Sequence, residues 1–93
     1  MRTHTLKTWP AFYQAIVDGS KPFEVREDDR GYAVGDTLHL REWEPGEFGC
    51  GNLTGREAHC LVTYTLPGGR FGIAPNTVVM GIKLIKQETK THL

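Results

Sequence analysis

The sequence predicts a mixed α+β fold dominated by β-structure: a small twisted barrel of about five strands with one early helix packed against it. Three observations carry that prediction. Apolar residues fall at helical spacing once, between Pro10 and Asp18, whereas five separate stretches read as strands, three of them by alternation of apolar and polar residues. The third is size, since 93 residues make one compact domain. A hydrophobic content of 39% supplies a single core and argues against disorder.

Residues 3–7 read as a first strand ending at Trp9-Pro10. Proline is favoured in the first turn of a helix, where its missing N–H would be unpaired anyway, so a helix is expected from Pro10. Phe12, Tyr13, Ile16 and Val17 form its apolar stripe, and Gly19 follows as the stop, giving a helix over Pro10 to Asp18. Phe23 and Val25 then alternate with Glu24 and Arg26, which predicts a half-buried strand with the two apolar residues in the core.

The polar run Asp28-Asp29-Arg30-Gly31 and the turn Val34-Gly35-Asp36 precede a third strand over Leu38 to Trp43. Pro45 to Gly55, with Gly at 46, 49, 51 and 55, shows no periodicity and is expected to be a long, mobile, acidic connection. Arg56 to Leu66 alternates strongly, with Ala58, Cys60, Val62 and Tyr64 on one face, and Pro67-Gly68-Gly69 ends it. The last strand runs from Thr77 to Lys86, with Gly81 as a bulge. One domain is therefore expected over residues 1–86, with a polar, frayed tail over residues 87–93.

Eleven Lys and Arg balance eleven Asp and Glu, which argues against coating of long DNA by bulk charge. The charge is segregated nonetheless. Residues 1–26 carry four basic and two acidic side chains, 27–57 three and eight, and 58–93 four and one. Two cysteines without a leader pattern fit a reducing, cytoplasmic setting. The longest apolar stretch, Thr77 to Ile85, is too short to span a bilayer.

Several familiar sites fail. Gly49-Cys50-Gly51-Asn52-Leu53-Thr54 lacks the final glycine and the preceding buried strand of a dinucleotide loop. His39, Cys50, His59 and Cys60 suggest zinc, but neighbouring His59 and Cys60 leave a strand on opposite faces and cannot share one ion, so neither a metal nor a cofactor is expected. Ser20 is the only serine, with no histidine placed beside it for a hydrolase triad.

What remains is Gly19-Ser20-Lys21-Pro22-Phe23-Glu24-Val25-Arg26, a point cation, a carboxylate and a bidentate cation at a helix-to-strand junction. Read as structure alone, Glu24 and Arg26 pair on one strand face beside a solvated Lys21. Pro22, however, lets Lys21 leave the alternation and turn towards the face of Glu24 and Arg26.

Gly-x-Lys-x-x-Glu-x-Arg, present as Gly19, Lys21, Glu24 and Arg26, resembles the signature of the ASCH domain, a branch of the PUA-like β-barrel superfamily. Leu6-Lys7-Thr8-Trp9-Pro10, Asp29-Arg30, Val34-Gly35-Asp36 and Thr54-Gly55-Arg56 resemble a narrower group of small, uncharacterised bacterial and phage proteins within it. The resemblance covers most of residues 6–85. It implies a pseudo-barrel whose cleft, between the first helix and the sheet, holds RNA or a nucleotide. Lys21, Glu24, Arg26 and Arg30 are then the nucleic-acid-binding residues, with Trp9, Tyr32 and Trp43 as stacking surfaces.

A hydrolase is the rival class. One ASCH-like branch resembles an amidohydrolase acting on acylated cytidine through a lysine, a threonine and a glutamate; Lys21 matches the lysine, and Glu24 stands where the threonine belongs. Other relatives of that kind are described as ribonucleases, for which Lys21 and Glu24 are the catalytic candidates. A third class is a protein-interaction module using the acidic stretch Glu27 to Glu57, although Arg30, Arg41 and Arg56 interrupt it.

Overall fold

A computed structural model of the chain describes residues 1–90. Its elements are β1 (Thr3–Thr8), α1 (Pro10–Val17), β2 (Phe23–Glu27), β3 (Thr37–Pro45), β4 (Gly51–Pro67) and β5 (Thr77–Thr89). They form one curled, half-barrel sheet in the order β1-β3-β4-β5-β2, with β1 and β3 parallel and the remaining neighbours antiparallel. No helix among the described residues is long and apolar enough to cross a membrane.

The parallel β1–β3 pair follows from connectivity, because α1 and β2 intervene and carry the chain back to its starting end. Leu6 of β1, Leu38 and Leu40 of β3, Ala58, Cys60 and Val62 of β4, and Val78, Met80 and Ile82 of β5 fill the concave face. Tyr13 and Ile16 of α1 close it from one side, the buried part of the predicted stripe. The helix begins at Pro10 as expected, with Asp18 as its C-cap, and Gly19 beyond it adopts φ 88°, the left-handed conformation that suits glycine.

Three expectations need correction. The glycine-rich stretch is not a long loop. β3 and β4 stay paired through Trp43–Leu53, Glu44–Asn52 and Pro45–Gly51, so only residues 46–50 turn. The glycines that hide the periodicity are steric requirements, since a Cβ at Gly51 would collide with the Trp43 indole and one at Gly46 with the Cys50 carbonyl. Likewise Gln87, Glu88 and Thr89 extend β5 opposite Ala58, Glu57 and Arg56 of the long β4, while residues 91–93 of the expected tail lie outside the described residues.

The third correction concerns β2. Phe23 and Val25 are 42% and 49% exposed, and it is Glu24, 3% exposed, that points into the barrel. Glu24 pairs in register with the buried Met80 and Arg26 with Val78, so these residues share the concave face. A carboxylate occupies that position because two cations meet it there; apolar alternation alone carries no such information. Phe23→Ala, a truncation at a half-exposed site, is accordingly expected to cost within about 1 kcal/mol. A urea midpoint shifted as far as a buried-phenylalanine truncation requires would return Phe23 to the core.

Among the described residues the two edge strands, β1 and β2, share no backbone ladder. Arginines span the seam instead. Arg26 Nη2 donates to the Lys7 carbonyl at 2.9 Å, Arg30 Nη1 to the Thr5 carbonyl at 3.2 Å, and Arg2 Nη2 to the Arg30 and Gly31 carbonyls at 2.5 and 2.7 Å. Edge carbonyls that would otherwise be open to another chain are thereby occupied.

Candidate functional site

The α1–β2 junction is built locally. Gly19 turns the chain, the Lys21 amide donates back to the Ala15 carbonyl at 3.0 Å, and Pro22 offers its carbonyl to the Ile82 amide at 3.0 Å. Lys21 is thus fixed just before the strand, with its side chain directed at Glu24. Lys21 Nζ lies 2.6 Å from Glu24 Oε1, and Arg26 Nε 2.8 Å from Oε2. The carboxylate uses one oxygen for each cation.

This triad lies partly beneath the surface. Glu24 is buried, whereas the Lys21 and Arg26 side chains retain 17% and 25% of their exposure. Its charge reaches the core: burial, with the Glu24 carboxylate adding to it, pushes the Cys60 thiol up to about 11. Cys60 is a core residue on one face of β4 and His59 stands on the other, as their adjacency requires.

Above the triad opens a cleft of about 510 Å³, lined by Lys7, Thr8, Trp9, Phe12, Lys21, Phe23, Glu24, Val25 and Arg26. That volume falls within the usual range for small-ligand sites. Its walls are aromatic and exposed. Trp9 and Phe12 stack with centroids 6.1 Å apart and planes within 11°, and Lys21 Nζ sits 5.0 Å from the Phe12 and 5.3 Å from the Phe23 ring centroid. Three cations and one carboxylate line it.

The structure brings Lys21, Glu24 and Arg26 together as the sequence predicted, and separates Arg30, which spends its guanidinium on the β1 edge. Of the three expected stacking surfaces only Trp9 lines the cleft. Tyr32 is buried against His4 at 4.6 Å, and Trp43 packs over Gly51 with Lys7 Nζ 5.2 Å from its ring centroid. Phe12 and Phe23 were missed, because both fit the pattern of core residues.

A second polar group surrounds the buried Glu42. Thr54 Oγ1 donates to it at 2.6 Å, while Arg56 approaches its other oxygen at 3.5 Å, bonds Gln14 at 3.2 Å and lies 4.8 Å from the Tyr13 ring centroid. Thr54-Gly55-Arg56 therefore fastens the β3–β4 ribbon to α1.

Comparison with known proteins places this architecture. A family model described as a domain of unknown function, DUF3850, matches residues 3–82, from the first strand into the last, and the chain belongs to that family. A protein of Escherichia phage P2, the "Uncharacterized 12.9 kDa protein in GpA 3'region", is 36% identical over 62 residues, covering 67% of this chain. The chain spans about half the length of that relative, 52%.

Proposed function

We propose that this member of the DUF3850 family binds an unpaired nucleotide, free or within single-stranded RNA, in the cleft between α1 and β2. One observation carries the reading: exposed Trp9, Phe12 and Phe23 stand beside Lys7, Lys21 and Arg26 around a single concavity. Aromatic faces stack on any base, and the cations favour its phosphate. Similarity of the Gly19, Lys21, Glu24, Arg26 pattern to the ASCH branch of PUA-like proteins supports the same ligand class and the same cleft.

Titration of labelled single-stranded RNA, in competition with free mononucleotides and at two salt concentrations, tests the reading. Trp9→Ala and Phe23→Ala are each expected to lose about 1 to 3 kcal/mol of binding, the usual effect of removing a stacking ring. Lys7→Ala should lower the salt dependence by roughly one released counterion while leaving the buried triad intact. Unchanged affinity in all three variants would remove the cleft from consideration.

Hydrolysis by the same residues is less well supported by the geometry, since each Glu24 oxygen already accepts from a cation and Lys21 is committed to that carboxylate. Gel analysis of the bound RNA should show no cleavage by the parent. Turnover that Glu24→Gln reduces by about 10² to 10⁴ would make Glu24 a general acid or base instead.

A further inference from the structure

We propose that the convex face of the sheet binds one divalent transition-metal ion of the zinc class, through His39 of β3, His59 of β4 and Glu88 of β5. One donor atom from each lies within 4.8 Å of the other two. The site shares no residue with the cleft, and its test is independent of that reading.

Strand register makes the arrangement. His39 and His59 are direct partners across the antiparallel β3–β4 pair, so both leave the sheet on the same side. Their rings stack with centroids 4.4 Å apart and planes within 7°. Glu88 arrives from the next strand, two residues beyond Lys86, the partner of His59, and its Oε1 lies 3.0 Å from His59 Nε2. Three adjacent strands thus deliver two imidazoles and a carboxylate to one spot.

Two imidazole nitrogens and a carboxylate oxygen are a borderline donor set that suits Zn²⁺ and its neighbours rather than Mg²⁺ or Ca²⁺. Donors on a tetrahedral zinc stand roughly 3.3 Å apart, given bonds of about 2.0 Å, so the ion requires the donors to draw together and one imidazole to turn out of the parallel stack. The histidine side chains are 18% and 19% exposed and the Glu88 side chain 39%, which shields the ion on the sheet side and leaves it an approach from solvent.

Surrounding groups fit the same use. Thr5 Oγ1 lies 3.4 Å from His39 Nδ1, so the ion takes Nε2 and displaces the Glu57 carboxylate that holds it in the metal-free chain. Glu57 hydrogen-bonds His39 Nε2 and also meets Arg41 at 3.4 Å and Lys90 at 3.3 Å. Its ties to Arg41 and Lys90 let it release His39 without being stranded, and water completes the coordination. Two separate histidine–carboxylate pairs would stabilise this face equally well without the direct register; convergence of all three donors is what a metal site adds.

The experiment uses the untagged full chain, titrated with Zn²⁺ by calorimetry and with Co²⁺ by visible absorption. Expected are one ion per chain, a Co²⁺ spectrum without thiolate charge-transfer bands, and a melting midpoint raised by Zn²⁺. His59→Gln and Glu88→Gln should each weaken binding at least about tenfold, with far-UV circular dichroism like the parent's, and Cys50→Ser should bind as the parent does. Absence of saturable binding at one ion per chain would overturn the proposal. Parental affinity in both His59→Gln and Glu88→Gln, or loss of binding in Cys50→Ser, would do the same.

Discussion

Asp36→Ala is expected to lower the unfolding free energy by about 3 to 5 kcal/mol, the cost of leaving several buried hydrogen-bonding groups without their carboxylate partner. The Asp36 carboxylate lies just before β3 and holds three groups at once. His4 Nε2 is 2.8 Å from one oxygen, which the Ala33 amide also reaches at 3.1 Å, and the Arg2 amide donates to the other at 3.0 Å. His4 is buried against Tyr32, so truncation strands an imidazole as well as two backbone donors. The hydrogen bond from His4, then that from the Arg2 amide, holds the Asp36 carboxyl at about 2, against the opposing effect of burial.

A depressed folded-state value fixes the sign of the pH dependence. The contribution is complete above the ordinary carboxyl value of about 3.9 and fades as pH falls through about 2. Urea midpoints at neutral pH and at successive steps down to pH 2 should therefore fall for the parent and stay flatter for Asp36→Asn. An Asp36→Ala midpoint within about 1 kcal/mol of the parent would show that His4 and the two amides find other partners.

Asp36 also marks where sequence reading succeeds. Val34-Gly35-Asp36 is legible as a turn because its residues act locally, and α1 is legible because Pro10, an apolar stripe and Gly19 all act within one element. Three of the five strands follow from alternation, and the last from an apolar run that starts after a turn. What stays hidden is anything decided by a second strand. Phe23 and Val25 alternate as core residues do, yet the inward position goes to Glu24 because Lys21 and Arg26 neutralise it. Glycines at 46 and 51 read as loop signals although they permit a hairpin packed under Trp43. His39 and His59 lie twenty residues apart in sequence, and only the β3–β4 register makes them neighbours. The sequence does predict the meeting of Lys21, Glu24 and Arg26, because those three residues are local.

Removing both cations of that cluster, in Lys21→Ala/Arg26→Ala, should cost about 3 to 5 kcal/mol, far more than either single change. Each single variant leaves Glu24 one partner, Arg26 at 2.8 Å or Lys21 at 2.6 Å. The double variant leaves a carboxylate at 3% exposure with neither cation, and desolvation of a lone charge is the dominant penalty in a low-dielectric interior. One control identifies the cause. Adding Glu24→Leu to the double variant should restore much of the stability, because replacing a buried ionic group by an apolar one of similar size is often neutral. Restoration should stop short of the parent, since Arg26 also bonds the Lys7 carbonyl across the seam. For RNA measurements the consequence is direct: Lys21 and Arg26 must be changed singly, and lost affinity in the double variant reports folding as well as contact. Additive single effects, with no rescue by Glu24→Leu, would mean that Glu24 reaches water and that the cations above it are free to serve the cleft alone.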